Sequence, residues 1–324
     1  MPKPAPSAKL RQASKRAQTG NAAPVAARVQ MVDVGRIAGV SAATVSRALS
    51  GHASIPPSTR ERIAGIARQI GYRINHSAAN LRRGQTNAVG VVVLDTDTQP
   101  ISDPFILGFI GYIADALNAN GNNLLLTRVR TDHRATLESL VTSGQVSGLL
   151  VMGQSSHHQM LNELEAAHIP MVVWGADLPD TQYSVVGSNN LTGGFLATSH
   201  LLNAGARRIV YLGEGHFPEG VLRYQGYVKA LNQHGLDVDQ KLVRHCLLST
   251  AEIEAAIHQL HVDGIEFDAI FASSDVGAIR AISTLNHLNI KVPAQVKVAG
   301  YDNIPLSAHV HPTLTTINQP IDLA

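Results

Sequence analysis

The stretch from Met31 to Ser50 has the residue order of a helix-turn-helix, two short helices joined by a turn that is centred on a glycine. Gly39 can adopt the positive φ that this turn requires, and the hydroxyl of Ser41 can cap the second helix by accepting a hydrogen bond from a free backbone N–H. A third helix is predicted over Ser58 to Ile70, where apolar residues recur with helical spacing. Three short helices with one small core are therefore expected near the N-terminus.

The second helix has two different faces. Val45 and Leu49 lie four residues apart, so we expect them to pack on Val34, Ile37 and Ala38 of the first helix. The opposite face begins with small residues and becomes polar, which suits a helix whose N-terminal end enters a DNA major groove. The predicted DNA-contacting residues of this helix and its cap are Ser41, Ala42, Ala43, Thr44, Ser46 and Arg47.

Charge is distributed very unevenly along the 324 residues. Residues 1–86 contain 14 Lys and Arg against two acids, a net charge of +12, whereas the remainder contains 12 against 22, a net charge of −10. This asymmetry is expected when one segment binds a polyanion and the other does not. Residues 1–29 are predicted to be a disordered basic arm, either adding nonspecific phosphate contacts or having no role.

Residues 75–86 form a short polar segment that could become helical only when something else orders it. Ala78 and Leu81 would share one face, with Arg82 beside them, as in a wedge that opens a minor-groove base step between phosphate contacts. A plain interdomain linker is the alternative. With residues 30–74 as the helix-turn-helix domain, this segment is a predicted hinge.

Residues 87–324 alternate apolar strand candidates with amphipathic helix candidates, the pattern of an α/β fold with parallel strands buried on both faces. A segment of this length can form two similar lobes with a cleft between them. The strands are predicted at Ala88–Leu94, Asn123–Thr127, Gly148–Met152, Pro170–Trp174, Arg208–Leu212, Ala269–Ala272 and Val296–Gly300.

Ligands of open parallel sheets bind beyond the carboxyl ends of the strands. The polar and aromatic residues that follow the predicted strands are therefore candidates for binding a small effector, and a tryptophan there could stack on a sugar ring. These candidates are Asp103, Phe105, Gln154, Trp174, Ser274 and Asp302.

The chain resembles the lactose-repressor (LacI/GalR) family of bacterial transcription regulators, through motifs that extend from the helix-turn-helix into the body as far as Gln319-Pro320. The resemblance implies a helix-turn-helix head and a periplasmic-binding-protein-like body of two parallel-sheet lobes. It also implies a homodimer on a pseudo-palindromic operator, with hinge residues Asn75 and Leu81 at the DNA and with Arg223 and Asp302 in the effector cleft. The motifs are Asp33-Val34, Ala38-Gly39-Val40-Ser41, Thr44-Val45-Ser46-Arg47, Thr59-Arg60, Gly71-Tyr72, Asn75 and Leu81.

The sequence departs from the family pattern at several positions. Gly35 replaces the usual Ala and is expected to loosen the first helix by roughly 1 kcal/mol. Pro56 replaces the usual Ser, and Ile74 replaces the Pro that usually precedes Asn75. The chain ends where family members usually continue, so a truncated C-terminus with exposed apolar surface is expected in the lobe nearest the DNA.

Other kinds of chemistry find little support in the sequence. It has no P-loop, no dinucleotide-binding glycine motif and no nucleophile elbow, and its histidines lack metal-ligand spacing, so no cofactor and no metal are expected. The single cysteine, Cys246, fits a reducing cytosol. A spanning helix and a secretory signal are both missing, which predicts a cytoplasmic, nucleoid-associated protein without a membrane partner.

The sequence therefore predicts a dimeric repressor that is controlled by a small ligand, a sugar by preference, and that is not an enzyme. Three alternatives stay open at this point: a purine-responsive regulator of the same family, a sugar-acting enzyme with a DNA-binding head, and a periplasmic-type sugar-binding protein. The enzyme would need an acid/base pair, for which Asp275 and Asp302 are the candidates.

Overall fold

The computed structural model describes residues 29–72, 86–94, 100–129, 133–154, 156–246 and 250–324. The chain divides into two compact units, one within residues 1–78, called the head, and one within residues 79–324, called the body. Each unit has its own apolar core and is described by itself.

The head consists of three helices, α1 (Met31–Ala38), α2 (Ala42–Leu49) and α3 (Pro57–Gln69). The turn between α1 and α2 has Gly39 at φ 65°, as the sequence predicted. Two arginines brace the helices, because Arg62 donates to the carbonyl of Ala38 and Arg60 to that of Gly51. The core consists of Val34, Ala38, Val45, Ala48, Ile63 and Ala67.

The inner face of α1 differs from the prediction at one residue. Ile37 is 50% exposed, whereas the buried residues of α1 are Val34, Gly35 and Ala38. The cause is Gly35, which lies so close to the turn that an added Cβ would be 2.8 Å from the carbonyl oxygen of Val40. The turn therefore packs on the Gly35 side of α1, and Ile37 is rotated toward solvent.

The first lobe of the body contains a five-stranded parallel sheet in the order β2-β1-β3-β4-β5. Helices connect most of its strands along the chain. Its elements are β1 (Ala88–Leu94), α4 (Pro104–Ala119), β2 (Asn123–Val129), α5 (His133–Thr142), β3 (Leu149–Met152), α6 (His158–Ala166), β4 (Met171–Trp174) and β5 (Ser184–Val186).

The second lobe contains another five-stranded parallel sheet, in the order β10-β9-β8-β6-β7. Its strands and α-helices are α7 (Asn190–Asn203), β6 (Ile209–Gly213), α8 (Pro218–Gln233), β7 (Val243–His245), α9 (Thr250–Val262), β8 (Ala269–Ala272), α10 (Asp275–His287), β9 (Lys297–Asp302) and β10 (Thr315–Asn318). Two short 3-10 helices cover Gln240–Leu242 and Pro305–Ala308.

All seven predicted strands are present, with shifts of one or two residues at some ends. Three further strands, β5, β7 and β10, were not predicted. Each has only three or four residues and lies at the edge of its sheet, where most of its residues are partly or fully exposed. An edge strand of this kind has no continuous apolar run, so the sequence gives little signal for it.

The lobes contact each other beside α4 and α10. Ile304, which follows β9, is 3% exposed and packs in the same core cluster as Phe105 and Phe109 of α4, and Val276 and Ile279 of α10 pack against that cluster. A separate apolar groove of about 350 Å³ lies between α4 and strands β3 to β5, and the last residues of the chain reach it.

Candidate DNA-binding surface and ligand cleft

The start of α2 is built as the sequence predicted. Ser41 is the N-cap, and its Oγ accepts a hydrogen bond from the backbone N–H of Thr44 at 3.1 Å. The hydroxyl groups of Ser41 and Thr44 are also hydrogen-bonded to each other, at 2.9 Å. This cap fixes the first turn of α2, whose backbone and side chains would approach DNA first.

The predicted DNA-contacting side chains of α2 lie largely on its open side. Ala43, Ser46 and Arg47 are exposed, and Ala42 and Thr44 are partly exposed. Val45 and Ala48 hold the opposite side in the core of the head. The predicted hinge contacts Asn75, Ala78, Leu81 and Arg82 lie outside the described residues.

The body has a cleft between its two lobes that encloses a cavity of about 120 Å³. One side, called the apolar wall, consists of Phe105, Ile106, Met152 and Trp174 of the first lobe. The facing side, called the polar wall, consists of Ser188, Asn190, Arg223, Asp302 and Gln319. The cleft therefore lies at the carboxyl ends of the parallel strands, where ligands of such sheets usually bind.

Arg223 is the centre of the polar wall. Its Nε donates to Asn190 Oδ1 at 2.8 Å, and its Nη1 donates to the carbonyl oxygen of Ser273 at 2.5 Å. Nη1 also lies 3.9 Å from Asp302 Oδ1, and the guanidinium carbon lies 3.8 Å from the centre of the Tyr301 ring. These protein contacts hold the guanidinium in one orientation.

Close packing of α7 on α8 brings Arg223 to Asn190. A Cβ on Gly226 would collide with the carbonyl oxygen of Leu191, and one on Gly194 with that of Arg223. Glycine at both positions allows the two helix backbones to touch. Gly226, three residues after Arg223 on α8, therefore permits the approach that positions the arginine.

Asp302 ends β9 in an unusual backbone conformation, with φ 120°, and Asn303 follows at φ 57°. Such conformations persist where the surrounding structure enforces them, often at binding sites. The Oδ1 of Asp302 accepts a hydrogen bond from Gln319 Nε2 at 2.7 Å, and Gln319 Oε1 accepts one from Ser188 Oγ at 2.7 Å. The carboxylate is therefore held by the segments that follow β5 and β10.

Burial governs the protonation of Asp302 in the polar wall and of Asp275 nearby. Burial raises the pKa of Asp302 to about 7, an effect that nearby Arg223 opposes and nearby Asp275 reinforces. Burial also raises the pKa of Asp275 to about 6. Asp275 holds neighbouring chain segments, since it accepts hydrogen bonds from Thr316 Oγ1 and from the backbone N–H of Ile304.

The apolar wall is aromatic. Trp174 packs edge-on against Phe109, with ring centres 4.5 Å apart, and its ring centre lies 6.3 Å from that of Phe105. Phe105 is both a core residue and a lining residue. Trp174 and Phe105 thus both pack against the core cluster and line the cavity.

Three other predicted residues have local structural roles. Ser274 lines the cleft and caps α10 by accepting from the N–H of Gly277. Asp103 caps α4 by accepting from the N–H groups of Phe105 and Ile106, and it is not among the lining residues. Gln154 also stands apart from the lining. Its buried amide bonds to both polar backbone groups of Ala176 and to the hydroxyl of Tyr183.

Several lining residues were missed by sequence reasoning, namely Ser188, Asn190, Glu214, Glu219 and Gln319. Ser188, Asn190 and Gln319 follow the short edge strands β5 and β10, so the strand-end rule would have found them if those strands had been recognised. Glu214 follows β6 directly, and the same rule applied to that strand would have identified it.

The described residues contain no group of three His, Cys, Asp or Glu side chains placed to hold a metal ion. None of the helices in the described part of the chain has the length and apolar character that are needed to cross a bilayer.

Comparison with known proteins gives matches to both units. Residues 30–75 match the family model for bacterial regulatory proteins of the lacI family, and residues 198–324 match the model for a periplasmic binding protein-like domain. The HTH-type transcriptional regulator CelR of Thermobifida fusca is 31% identical over 294 residues, which cover 90% of this chain and 86% of CelR.

Two solved structures have the same fold. The complex of the transcriptional regulator CelR with cellobiose matches with a TM-score of 0.67 and 29% identity, covering 91% of this chain and 89% of CelR. The lac repressor dimer bound to operator and the anti-inducer ONPF matches with a TM-score of 0.81 and 24% identity, covering 92% and 89% of the two chains. The predicted fold class, an all-α head with a body of two parallel-sheet lobes, is confirmed.

Proposed function

Because the chain belongs to the LacI family of bacterial regulatory proteins, we propose that it is a repressor whose affinity for operator DNA is controlled by a sugar bound in the body cleft. It is a DNA-binding transcription regulator and not an enzyme, so the alternative of a sugar-acting enzyme is set aside. Because a regulator of this kind acts on the chromosome, we propose that the protein works in the bacterial cytoplasm in association with the nucleoid.

The observation that carries the DNA-binding part is the capped helix α2 with its open polar side. Ala42 and Ala43 can offer only methyl contacts to thymine, whereas Arg47 can reach a guanine edge. Ser41, Thr44 and Ser46 supply hydroxyl groups for phosphates. The proposal extends to Asn75, Ala78, Leu81 and Arg82 of the hinge segment as minor-groove contacts.

The observation that carries the effector part is the contrast between the two walls of the cleft. Carboxylate and guanidinium groups such as Asp302 and Arg223 can hold vicinal hydroxyls, and an aromatic wall can cover the apolar face of a pyranose. The proposed effector contacts are Phe105, Trp174, Arg223, Ser274 and Asp302, with Asp103 and Gln154 supporting them from outside the lining.

The aromatic geometry favours a sugar over a purine. The rings of Phe105 and Trp174 are tilted by 45° to each other. Two rings that enclosed a flat base would have to be nearly parallel. In this structure they can cover one side of a ligand but cannot sandwich it.

The proposed mechanism is thermodynamic linkage between the two binding events. A ligand that favours one arrangement of the two lobes shifts operator affinity by its differential affinity for the two states. We propose a homodimer on a pseudo-palindromic operator, as in the lac repressor complex of the same fold.

Fluorescence anisotropy of a labelled operator from upstream of the gene tests the proposal. Titrations at two salt concentrations, each with a panel of mono- and disaccharides and purines, should show specific, salt-sensitive binding that one sugar changes. Equal affinity for the operator and for scrambled DNA would contradict sequence-specific binding. If only purines changed operator binding, the effector would be a purine rather than a sugar.

A further inference from the structure

Carboxyl groups outnumber cations among the described residues that line the cleft. Among its described lining residues, Glu214, Glu219 and Asp302 carry carboxyl groups, whereas Arg223 alone carries a cation. That guanidinium already contacts Asn190, the carbonyl of Ser273 and Asp302. A phosphate entering this cleft would meet an occupied arginine and three acids.

The amide groups of the polar wall are also engaged. Asn190 donates its Nδ2 to the carbonyl oxygen of Ser188, and Gln319 donates its Nε2 to Asp302. The hydroxyl of Ser188 donates to Gln319. These donors are directed at acceptors within the protein, whereas a carboxylate has about four lone-pair sites and can accept several hydrogen bonds at once.

Four helices, α4, α7, α8 and α10, begin at residues that line the cleft, and a helix N-terminus is ordinarily a favourable position for an anion. Here the chain itself supplies the acceptors. At the start of α8, burial raises the pKa of Glu219, and this rise is opposed by hydrogen bonds from its own backbone N–H and from that of Gln154 and by the charge of Arg223. At the start of α10, Ser274 accepts from the N–H of Gly277. Asp103 caps α4 and Asn189 caps α7 in the same way, so none of these four helix starts offers a ready phosphate site.

We infer that the cleft selects a hydroxyl-rich ligand without a phosphate or carboxylate group, a non-phosphorylated sugar, and that Glu214 and Glu219 set this preference. Sugar hydroxyls donate hydrogen bonds that the carboxylates can accept, whereas a phosphate ester brings like charges together in a partly buried site. This inference rests on the proposed function, because it takes the cleft to be the effector site.

Matched pairs of ligands test the inference on the full-length protein. Isothermal titration calorimetry would compare glucose with glucose 6-phosphate, fructose with fructose 6-phosphate, and cellobiose with cellobiose 6′-phosphate. For at least one pair we expect the neutral sugar to bind and its ester to bind at least about 100-fold more weakly. An ester that binds as tightly as its parent sugar overturns the inference, and so does a panel in which no neutral sugar binds.

Charge-neutral variants assign the preference to residues. In the double variant Glu214→Gln/Glu219→Gln, the ratio of the affinity for the neutral sugar to the affinity for its phosphate ester should fall by about 10-fold. In the single variant Glu214→Gln, which is used if the double variant does not fold, this ratio should fall by less. The matched control Glu165→Gln/Glu266→Gln changes two glutamates outside the cleft lining and should leave the ratio unchanged. If the affinity ratio is unchanged in the cleft variants, Glu214 and Glu219 do not set the preference for neutral sugars.

Operator binding separates this inference from the proposed function. If a phosphorylated sugar releases the operator, the protein is still a sugar-controlled regulator and only the preference for uncharged ligands is wrong. If neither the neutral sugars nor their phosphate esters change operator binding, the proposed sugar control and the preference for uncharged ligands are both wrong.

Discussion

The two candidate recognition surfaces of this protein are built in opposite ways. On α2 of the head, Ser46 and Arg47 are exposed side chains that stand apart from the core. In the cleft of the body, Asp302 is buried, Arg223 is mostly buried, and both belong to one hydrogen-bonded network. Changes on α2 should therefore mainly affect DNA binding, whereas changes in the cleft should affect effector binding and stability together.

The largest effect is expected from Arg223→Met. Removing the guanidinium leaves Asp302, Asn190 and the carbonyl of Ser273 without their shared partner in a buried site, a loss of about 3–5 kcal/mol. We expect chemical denaturation to show this loss in the body and titration to show no response to the effector.

Arg134→Met is the matched control for that variant. Arg134 forms two ion pairs, with Glu138 and Glu163, on the surface of the first lobe. Exposed pairs of this kind contribute at most about 1 kcal/mol. If both variants lost the same stability, the claim that the cleft is a cooperative network would be wrong.

The next effect concerns pH. The folded-state pKa values of Asp302 and Asp275 are raised to about 7 and about 6, so the folded protein holds protons that the unfolded chain has released. Their contribution is fully present below the unfolded pKa of about 4 and is lost as the pH rises toward 7. Between pH 5 and 8, Asp302→Asn should therefore gain stability relative to the parent protein, on the order of 1–3 kcal/mol.

Urea denaturation at several pH values checks this prediction, with the exposed Asp237→Asn as the control. The control should follow the pH profile of the parent protein. A stability difference between Asp302→Asn and the parent that does not vary with pH would show that burial does not control this carboxyl group.

On α2, Arg47→Ala should weaken operator binding by about 1–3 kcal/mol if the side chain reads a guanine edge. Its exposed position predicts an unchanged unfolding transition. The measurement is anisotropy against the operator and against variants of it, and Arg68→Ala, an exposed arginine on α3 of the same head, is the control. Equal losses for both variants would indicate a nonspecific charge effect.

The smallest effect is expected for Ser41→Ala, which removes the N-cap of α2 and costs about 1 kcal/mol. Hydrogen exchange of the N–H of Thr44 should accelerate, because its acceptor is the Ser41 hydroxyl. Ser46→Ala removes a hydroxyl from the exposed side of the same helix and should leave that exchange rate unchanged. Equal exchange in both variants would argue that the cap does not stabilise α2.

Much of the fold follows from local patterns in the sequence. The glycine turn, the Ser41 cap and the apolar spacing of the three head helices are short-range features, and the sequence places them correctly. The buried strands of the body are also predictable, because a strand covered on both faces needs a continuous apolar run.

The edge strands and part of the cleft depend on tertiary structure. β5, β7 and β10 are short and partly exposed, so neighbouring strands rather than apolar patterning define them. Ser188 and Gln319 are 131 positions apart, yet they share a hydrogen bond, and no local pattern records such a pair.

The sequence by itself determined the helix-turn-helix, the α/β body and the candidates Trp174, Arg223 and Asp302, because each carries a strong local or motif signal. Tertiary packing was needed to show that Ile37 faces solvent, that Gln154 bonds to Ala176 outside the cleft lining, and that Glu219 lines the cleft. The physical reason is that a side chain's role depends on what the rest of the chain packs against it, and that packing joins residues far apart in sequence.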